Sequence, residues 1–294
     1  MYTKEVNWDE FVFRCHYMGE LMSPAKGKSN LERYNESLAK YNALYEKIVS
    51  AKDGAYKDKL ISSIVDIQNE KERLGKIKDV PKLSDTAKRR LVQIYTEATT
   101  GRVKDIKSIA IEKGIKTEED SITLYSLRTG KMYRKNKERV ENEFVSGEID
   151  FDDEEMDMVI DTKSSEDVFT FDNSMLSINK NYEWQGQCYM WLKNRSRFRL
   201  AYCLNNSPEE IIQKILNKEK YSFIGSEEEW RSYVEFVRHN HIYNDLPIER
   251  KIRIYDFYRD EQKIEMIKAS VPYFRQFLKN ITNSKFEEDY DYQD

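Results

Sequence analysis

Two acidic residues and one lysine have the spacing of a metal-dependent hydrolytic site. Asp161 and Lys163 are two residues apart in the β-like segment MDMVIDTKSS, so they share one face of a strand. The preceding segment, EFVSGEIDF, is predicted to be the adjoining strand of a hairpin, and it carries Asp150 near its end. Two carboxylates about 4 Å apart repel by roughly 4 kcal/mol at an effective dielectric constant near 20, so a divalent cation would stabilise them. Oxygen ligands, including the backbone carbonyl of Thr162, select Mg²⁺ or Mn²⁺ over zinc.

A site of this kind can hydrolyse a phosphodiester bond. A bound metal ion polarises the phosphoryl oxygen and lowers the pKa of water, while the Lys163 ammonium can orient the nucleophile and offset the charge that develops on phosphorus. A D-x-K pattern alone is common by chance and also fits a surface hairpin with solvated charges. The neighbouring motifs therefore decide between the two interpretations.

Two further motifs flank this hairpin in an order that is typical of one nuclease family. Downstream, the segment EWQGQCYMWL holds Gln185 and Tyr189 in a QxxxY spacing, and upstream Glu118 follows Gly114 by four residues in a helical segment. In this order the chain resembles the YqaJ-like viral recombinase and lambda exonuclease family. That family belongs to the RecB-like nucleases of the PD-(D/E)XK superfamily.

The resemblance covers residues 1–30 and 84–205 and implies a fold and an activity. The fold would be α/β (α+β), with a PD-(D/E)XK restriction-endonuclease-like core in which helices flank a short mixed central sheet. The activity would be 5′→3′ exonucleolytic resection of linear duplex DNA in viral, phage-type recombination or replication. It would use two Mg²⁺ ions per site, for which Mn²⁺ can substitute. The family further implies a homo-oligomeric ring, a trimer, and a single-strand annealing protein as a partner.

The resemblance also assigns the metal ligands. Asp150 would bridge or share the two ions, Asp161 and the Thr162 carbonyl would complete one site, and Glu118 would serve the second. Glu119 competes with Glu118 for this role, and only the offset from the glycine favours Glu118. The choice between these two glutamates therefore stays open in the sequence.

The remaining candidate residues would act on water or on DNA. By the same resemblance, Lys163 would position the attacking water, and Gln185 would hold that water or the scissile phosphate. An arginine near the N-terminus would bind the 5′ phosphate, since a guanidinium contacts two oxygens at once, and two lysines are candidates for the same pocket. Tyrosines of the aromatic-rich helix would support that helix or stack near DNA. The candidate DNA-binding residues are Arg14, Lys26, Lys28, Tyr182 and Tyr189.

Hydrophobic periodicity predicts the elements that position these residues. Apolar residues at three- and four-residue steps indicate a helical hairpin insertion over about 31–80, a helix from Ser84 to Thr100, and a helical segment over 104–129 that is broken near Gly114. The later elements expected are a helix over 179–193, a strand from Arg197 to Leu204, helices near 208–218 and 226–240, a strand near 250–257 and a helix through 264–281.

These elements are expected to form one nuclease domain over residues 1–283, with the catalytic core at about 84–205. The acidic tail, 284–294, has no apolar period and is predicted to be disordered. The N-terminus has no apolar signal region, and no stretch approaches the ~18 apolar residues that span a bilayer, so we expect a cytoplasmic protein without membrane contact, in the host cytoplasm if it is viral. Three scattered cysteines predict core thiols, and not a disulfide framework or an iron–sulfur cluster.

The distribution of charge suits a nucleic-acid ligand better than the total does. The formal net charge is −4, but the windows 148–157 and 287–294 hold seven and five acids and no Lys or Arg, so the rest of the chain is basic. Six cations lie between residues 128 and 139, and they could follow a DNA backbone or form a solvated surface.

Two rival functions remain open at this point. A RecB-like repair endonuclease, or a nuclease of single-stranded or branched DNA, would use the same residues on another substrate. A non-catalytic DNA-binding or scaffold protein would rely on the long helical hairpin. The joint order of the acidic, D-x-K and QxxxY motifs favours the exonuclease.

Overall fold

The computed structural model of the protein describes residues 4–104 and 108–283. The predicted disorder of residues 284–294 falls outside these ranges. The helices are α1 (Met18–Leu21), α2 (Asn30–Ser50), α3 (Ala55–Ile77), α4 (Asp85–Thr100), α5 (Ile109–Lys116), α6 (Glu118–Thr129), α7 (Val168–Asn173), α8 (Lys180–Lys193), α9 (Glu209–Lys220), α10 (Glu227–His241) and α11 (Glu261–Thr282). The strands are β1 (Phe13–Arg14), β2 (Arg139–Glu141), β3 (Val145–Glu148), β4 (Phe151–Asp153), β5 (Met158–Ser164), β6 (Arg197–Cys203) and β7 (Ile252–Tyr258).

Local capping chemistry explains where the early helices begin. Ser29 and Glu32 form a capping box at the start of α2, in which each side chain accepts a hydrogen bond from the backbone N–H of the other. Ser84 caps α4 as predicted, because its Oγ accepts from the backbone N–H of Ala87 at 3.0 Å. α2 and α3 pack against each other and form the expected helical hairpin.

The predicted break at Gly114 is wrong, and the helical segment breaks three residues later. Gly114 lies inside α5, and the chain leaves helical geometry at Thr117, with φ −106° and ψ 15°. Thr117 is fully buried, and its Oγ1 lies 2.8 Å from both the Lys113 carbonyl and the Ser164 hydroxyl. These contacts fix the break, so α6 restarts with Glu118 as its first residue.

The strands form two sheets, with the orders β1-β3-β2 and β4-β5-β6-β7. In the second sheet, β5 lies between β4, which is antiparallel to it, and β6, which is parallel. A parallel pair needs a crossover connection, and here α7 and α8 supply it between β5 and β6. The sheet is therefore mixed and flanked by helices, as the predicted α/β fold class requires.

The segment EFVSGEIDF was expected to be one strand, and this prediction is wrong. β3 ends at Glu148 in the first sheet, and β4 begins at Phe151 in the second, so Ile149 and Asp150 form the crossing between the sheets. Ile149 is 1% exposed, which anchors this crossing in the core. Asp150 therefore lies just before the strand that adjoins β5, and not on it.

The two faces of the second sheet are covered by different helices. The core on the α6 side is built from Ile122, Tyr125, Phe151, Met158, Ile160, Ala201, Cys203 and Ile252. On the other side, α8 contacts β5 and β6, with Gly186 against the ring of Phe198. Since side chains alternate along a strand, residues 159, 161 and 163 of β5 face α8.

The chain forms two compact units. Of the described residues, one unit comprises 4–19, 96–104 and 108–268, and the other comprises 20–95 and 269–283. The first unit contains both sheets, and the second contains the α2–α3 hairpin.

Two predictions from composition concern the cysteines and the membrane. Cys15, Cys188 and Cys203 are free and buried, as expected for core thiols. Among the described helices, none combines the length and the apolar character needed to cross a bilayer.

α8 can lie this close to the sheet only because residue 186 is glycine. A Cβ at this position would lie 2.1 Å from Cδ1 of Phe198. We therefore expect Gly186→Ala to lower the free energy of unfolding by about 1–3 kcal/mol, as overpacking of a core does, and urea denaturation would measure it.

Gly114→Ala is the matched control. A methyl group there meets nothing within 4 Å, and alanine has the higher helix propensity, so this variant should gain about 0.5–1 kcal/mol. Equal effects of the two substitutions would contradict the packing of α8 on β6.

Candidate active site

β5 presents an acid and a lysine on the face that α8 covers. Asp161 is 2% exposed, and the side chain of Lys163 is 30% exposed. The Lys163 Nζ lies 2.6 Å from Oδ2 of Asp161. The two side chains therefore project together, as their spacing predicts.

Asp150 reaches the same strand from the crossing between the sheets. The β4–β5 register pairs Phe151 with Ile160, and continuing it by one residue brings Asp150 opposite Asp161. The Asp150 Oδ2 accepts hydrogen bonds from the backbone N–H of Thr162 at 2.7 Å and from its Oγ1 at 2.9 Å. Because the N–H and C=O of a strand residue face the same neighbour, the Thr162 carbonyl also faces this edge. The Asp150 carboxylate and the Thr162 carbonyl thus lie at the edge of β5 that β4 leaves uncovered, next to Asp161 on the face beneath α8.

Burial dominates the electrostatics of this cluster. It raises the pKa of Asp161 to about 7, against the opposing effect of Lys163, and the negative charges of Asp150 and Glu118 raise it further. Burial also disfavours the charged form of Lys163, but the carboxylates of Asp161 and Asp150 outweigh it and raise the pKa of the ammonium above its usual value. The lysine therefore remains a cation at neutral pH.

Glu118 is the acid that α6 adds to the cluster. It begins the helix, its side chain is 37% exposed, and its Oε2 lies 2.6 Å from Nζ of Lys135. Its charge also contributes to the raised pKa of Asp161. Glu119 is exposed. Of the two glutamates that the sequence leaves open, these contacts favour Glu118.

The donor atoms fit a divalent cation. Oδ2 of Asp161 is buried. Apart from its ion pair with the Lys163 ammonium, it has no hydrogen-bond partner among the described residues. Carboxylate and carbonyl oxygens are the ligands that Mg²⁺ takes. Over residues 4–104 and 108–283, no three Asp, Glu, His or Cys side chains converge as a metal-binding group. Asp150 is hydrogen-bonded to Thr162, and Glu118 is paired with Lys135.

A buried polar network holds α6 against β5 and β6. Thr117 Oγ1 lies 2.8 Å from Ser164 Oγ, while Nδ2 of Asn205 lies 2.6 Å from Ser121 Oγ and 3.3 Å from Ser164 Oγ. The network joins the residue before Glu118 to the residue after Lys163. Sequence reasoning missed it, because serine, threonine and asparagine are common and their spacing gives no signal.

The QxxxY motif of α8 is joined internally. Gln185 and Tyr189 are 5% and 4% exposed, and Nε2 of Gln185 donates to the Tyr189 hydroxyl at 2.7 Å. Tyr182 is half-buried, with the Lys163 Nζ 5.6 Å from its ring centroid. The roles expected for these two tyrosines, at the helix or at the DNA, stay predictions. Tyr182 is the tyrosine that lies beside the site.

The three cations expected at the 5′ phosphate lie in different units. Arg14 is exposed on β1 and pairs with Ser146 of β3, which leads into the crossing at Asp150. Lys26 and Lys28 are exposed in the other unit, where Lys28 forms an ion pair with Glu36. Their role at a phosphate stays a prediction.

The buried Asp161 should make the stability of the metal-free protein depend on pH. Its pKa is about 7 in the folded chain and about 3.9 when unfolded, so between these values the folded state binds the extra proton. The free energy of unfolding should therefore fall as pH rises from about 4 to about 7. The isosteric variant Asp161→Asn has no carboxyl to titrate at this position. Its free energy of unfolding relative to that of the wild type should therefore rise by up to about 1.4 kcal/mol for each pH unit between about 4 and 7.

Denaturation with EDTA at several pH values would measure this difference. Other titrating groups are common to both proteins and cancel. A constant difference between variant and wild type across the window would contradict the buried carboxyl.

Comparison with known proteins identifies a solved structure with a similar fold. No family model and no curated protein matches the sequence. The chain is similar to the crystal structure of a phage-related exonuclease from Haemophilus somnus 129PT, with a TM-score of 0.63 and 21% identity over 94% of this chain and 97% of that one.

A weaker similarity is to LHK-Exo, an alkaline exonuclease from Laribacter hongkongensis, with a TM-score of 0.47 and 14% identity over 71% of this chain and 88% of that one. A structure of LHK-Exo in complex with dAMP has a TM-score of 0.45 and 14% identity, over 69% of this chain and 87% of that one. The Haemophilus comparison carries the conclusion: over nearly its whole length the chain has the fold of a phage-related exonuclease, in agreement with the fold class and the resemblance that the motifs predict.

Proposed function

We propose that the chain is a metal-dependent deoxyribonuclease that degrades linear duplex DNA from its ends. One observation carries the proposal: the Asp161–Lys163 ion pair lies on the face of β5 that α8 covers, and Asp150, at the adjoining edge, is hydrogen-bonded to the intervening Thr162. This is the arrangement that the D…D-x-K motif predicts, and it occurs in a chain with the fold of an exonuclease. The structure that shares this fold, at 21% identity, is that of a phage-related exonuclease, and this similarity supports the proposal.

The metal would be Mg²⁺, with Mn²⁺ as a substitute. Asp150, Asp161 and the Thr162 carbonyl would hold one ion, and Glu118 would serve a second. When bound, the ions would supply Lewis-acid activation of water and neutralise charge on the phosphate and the leaving oxygen. Glu118 would have to exchange Lys135 for the cation.

The residues of the chain itself would orient the reactants. Lys163 stays charged at neutral pH, so it would not act as a general base. Its ammonium would orient the attacking water and offset the charge that develops on phosphorus. Gln185, held by Tyr189, would contact the water or the scissile phosphate. α8 covers Asp161 and keeps bulk water from this face, which strengthens each of these charge interactions.

The finer features of the proposal derive from the resemblance to the lambda exonuclease family. They are 5′→3′ polarity, a 5′ phosphate bound by Arg14, for which Lys26 and Lys28 are further candidates, and Tyr182 near the DNA. They further include a homo-oligomeric ring, a single-strand annealing partner, and a role in phage-type recombination in the host cytoplasm. Digestion of end-labelled duplex would determine the polarity, because a 5′→3′ enzyme releases the 5′ label first.

Digestion of linear duplex by active-site variants tests the assignment. We expect Asp161→Ala and Lys163→Ala each to lower the rate on the order of 10²–10³-fold or more, since each removes a charge that acts in the transition state. Asp256→Ala is the matched control, because it breaks the comparable ion pair of Arg199 with Asp256 on the same sheet, where both N–O distances are 2.7 Å.

The control should retain the wild-type rate once its folding has been verified. Variants that digest as fast as the wild type would refute the site. Covalently closed circular duplex should resist the wild type, and rapid cutting of the circle would favour the endonuclease rival.

A further inference from the structure

A basic segment, residues 131–137, is attached directly to the candidate active site. It joins α6 to β2 and has no regular secondary structure. The backbone N–H of Asn136 donates to the carbonyl of Asp150 at 2.9 Å, and its Nδ2 donates to the carbonyl of Ile149 at 3.1 Å. The segment is therefore fixed to the crossing that carries Asp150.

A second anchor holds the segment at Tyr133. Its backbone N–H donates to Ser126 Oγ at 3.1 Å, and its hydroxyl donates to Asp153 at 2.9 Å. Its ring centroid lies 5.1 Å from the rings of both Tyr125 and Phe151. Because Tyr133 and Asn136 are both anchored, the backbone that carries Arg134, Lys135 and Lys137 is held in place.

Two of the four cations in the basic segment are already neutralised. Lys131 pairs with Asp153 and Glu155, and Lys135 pairs with Glu118. Arg134 and Lys137 are exposed and form no ion pair within the described part of the chain. Their charges are thus available to a ligand.

The basic segment lies along two clefts of opposite charge. The α6 cleft, about 630 Å³, is bounded by α6 and the segment; it contains Arg134, Lys135 and Lys137, and Glu119 is the acid in its lining. The β4 cleft, about 620 Å³, is bounded by four consecutive acids, residues 152–155, which outnumber the three cations of its lining, Lys131, Arg134 and Lys193. A polyanion would be attracted to the α6 cleft and repelled from the β4 cleft.

We infer that the α6 cleft is the track for the DNA backbone next to the cleavage site, with Arg134 and Lys137 bound to phosphates. This inference rests on the proposed nuclease function and adds to it where the substrate enters. Arg134 and Lys137 flank Asn136 in the chain, so phosphates bound to them would lie close to Asp150.

The cleft also exposes two apolar side chains, Leu127 at 68% and Met132 at 83%, which a protein partner could cover. Two cations without ion-pair partners beside an acidic catalytic cluster fit a phosphate backbone better than an apolar surface. The test below separates the two ligands.

The salt dependence of DNA binding tests the inference. Binding of a labelled linear duplex would be followed by fluorescence anisotropy at increasing salt, with Ca²⁺ in place of Mg²⁺ and with the duplex checked for cleavage. Each phosphate contact contributes about 1 to the slope of log Kd against log salt concentration, so Arg134→Gln combined with Lys137→Gln should reduce the slope by about 2 and weaken binding at low salt by at least about tenfold.

Lys218→Gln combined with Lys220→Gln is the matched control. Both lysines are exposed at the end of α9, so this variant loses the same charge from another surface. It should bind with the slope of the wild type. Thermal unfolding of both double variants would verify that they fold.

Each outcome separates this inference from the proposed function. If the Arg134/Lys137 variant keeps the wild-type slope while the wild type still digests DNA, the α6 cleft does not bind the DNA backbone and the nuclease function is unaffected. A protein partner would then be the ligand that fits the α6 cleft. If both double variants lose slope equally, the binding is non-specific and the track is also refuted. A wild type that neither binds nor digests linear duplex refutes both.

Discussion

The burial of the Asp161 carboxylate is the constraint on which the candidate active site depends. Asp161 lies on β5, one of the two inner strands of a four-stranded sheet, on the face beneath α8, where an isolated charge costs several kcal/mol. Lys163, two residues further on the same face, offsets part of that cost through its ion pair with Oδ2 of Asp161. The close approach of α8 at Gly186 creates this burial. Packing and electrostatics are thus linked, since the helix that stabilises the sheet also buries the carboxylate of Asp161.

Two irregular points in the chain bring the remaining acids to this strand. The crossing between the sheets leaves Asp150 outside any ladder, so its carboxylate can turn onto the N–H of Thr162. The break at Thr117 restarts α6 with Glu118 at its first position, and hydrogen bonds from Thr117 and Asn205 to Ser164 fix that position against β5. A regular strand or an unbroken helix would give neither acid this freedom.

The sequence predicts those parts of the site that follow from the regular spacing of residues within one strand or one helix. Period-two alternation puts Asp161 and Lys163 on one face, and apolar periodicity predicts the α2–α3 hairpin. The change of sheet at residues 149–150 is not predictable, because EFVSGEIDF alternates as one strand would. The break at Thr117 is not predicted, because glycine is the residue that usually marks the end of a helix. The hydrogen bond that holds Thr117 at this break comes from Ser164 of β5, which is distant in the sequence. Lys135 is one of six neighbouring cations, and only the fold pairs it with Glu118.

The central claim is that Asp150, Asp161 and the Thr162 carbonyl form a metal site on the edge of β5. Diffraction from crystals soaked in Mn²⁺, recorded at the manganese absorption edge, would test it most directly. We predict an anomalous peak coordinated by these three groups, with Glu118 turned away from Lys135 towards a second peak. A soaked crystal without a peak at this edge, or with its strongest peak at residues 152–155, would contradict it.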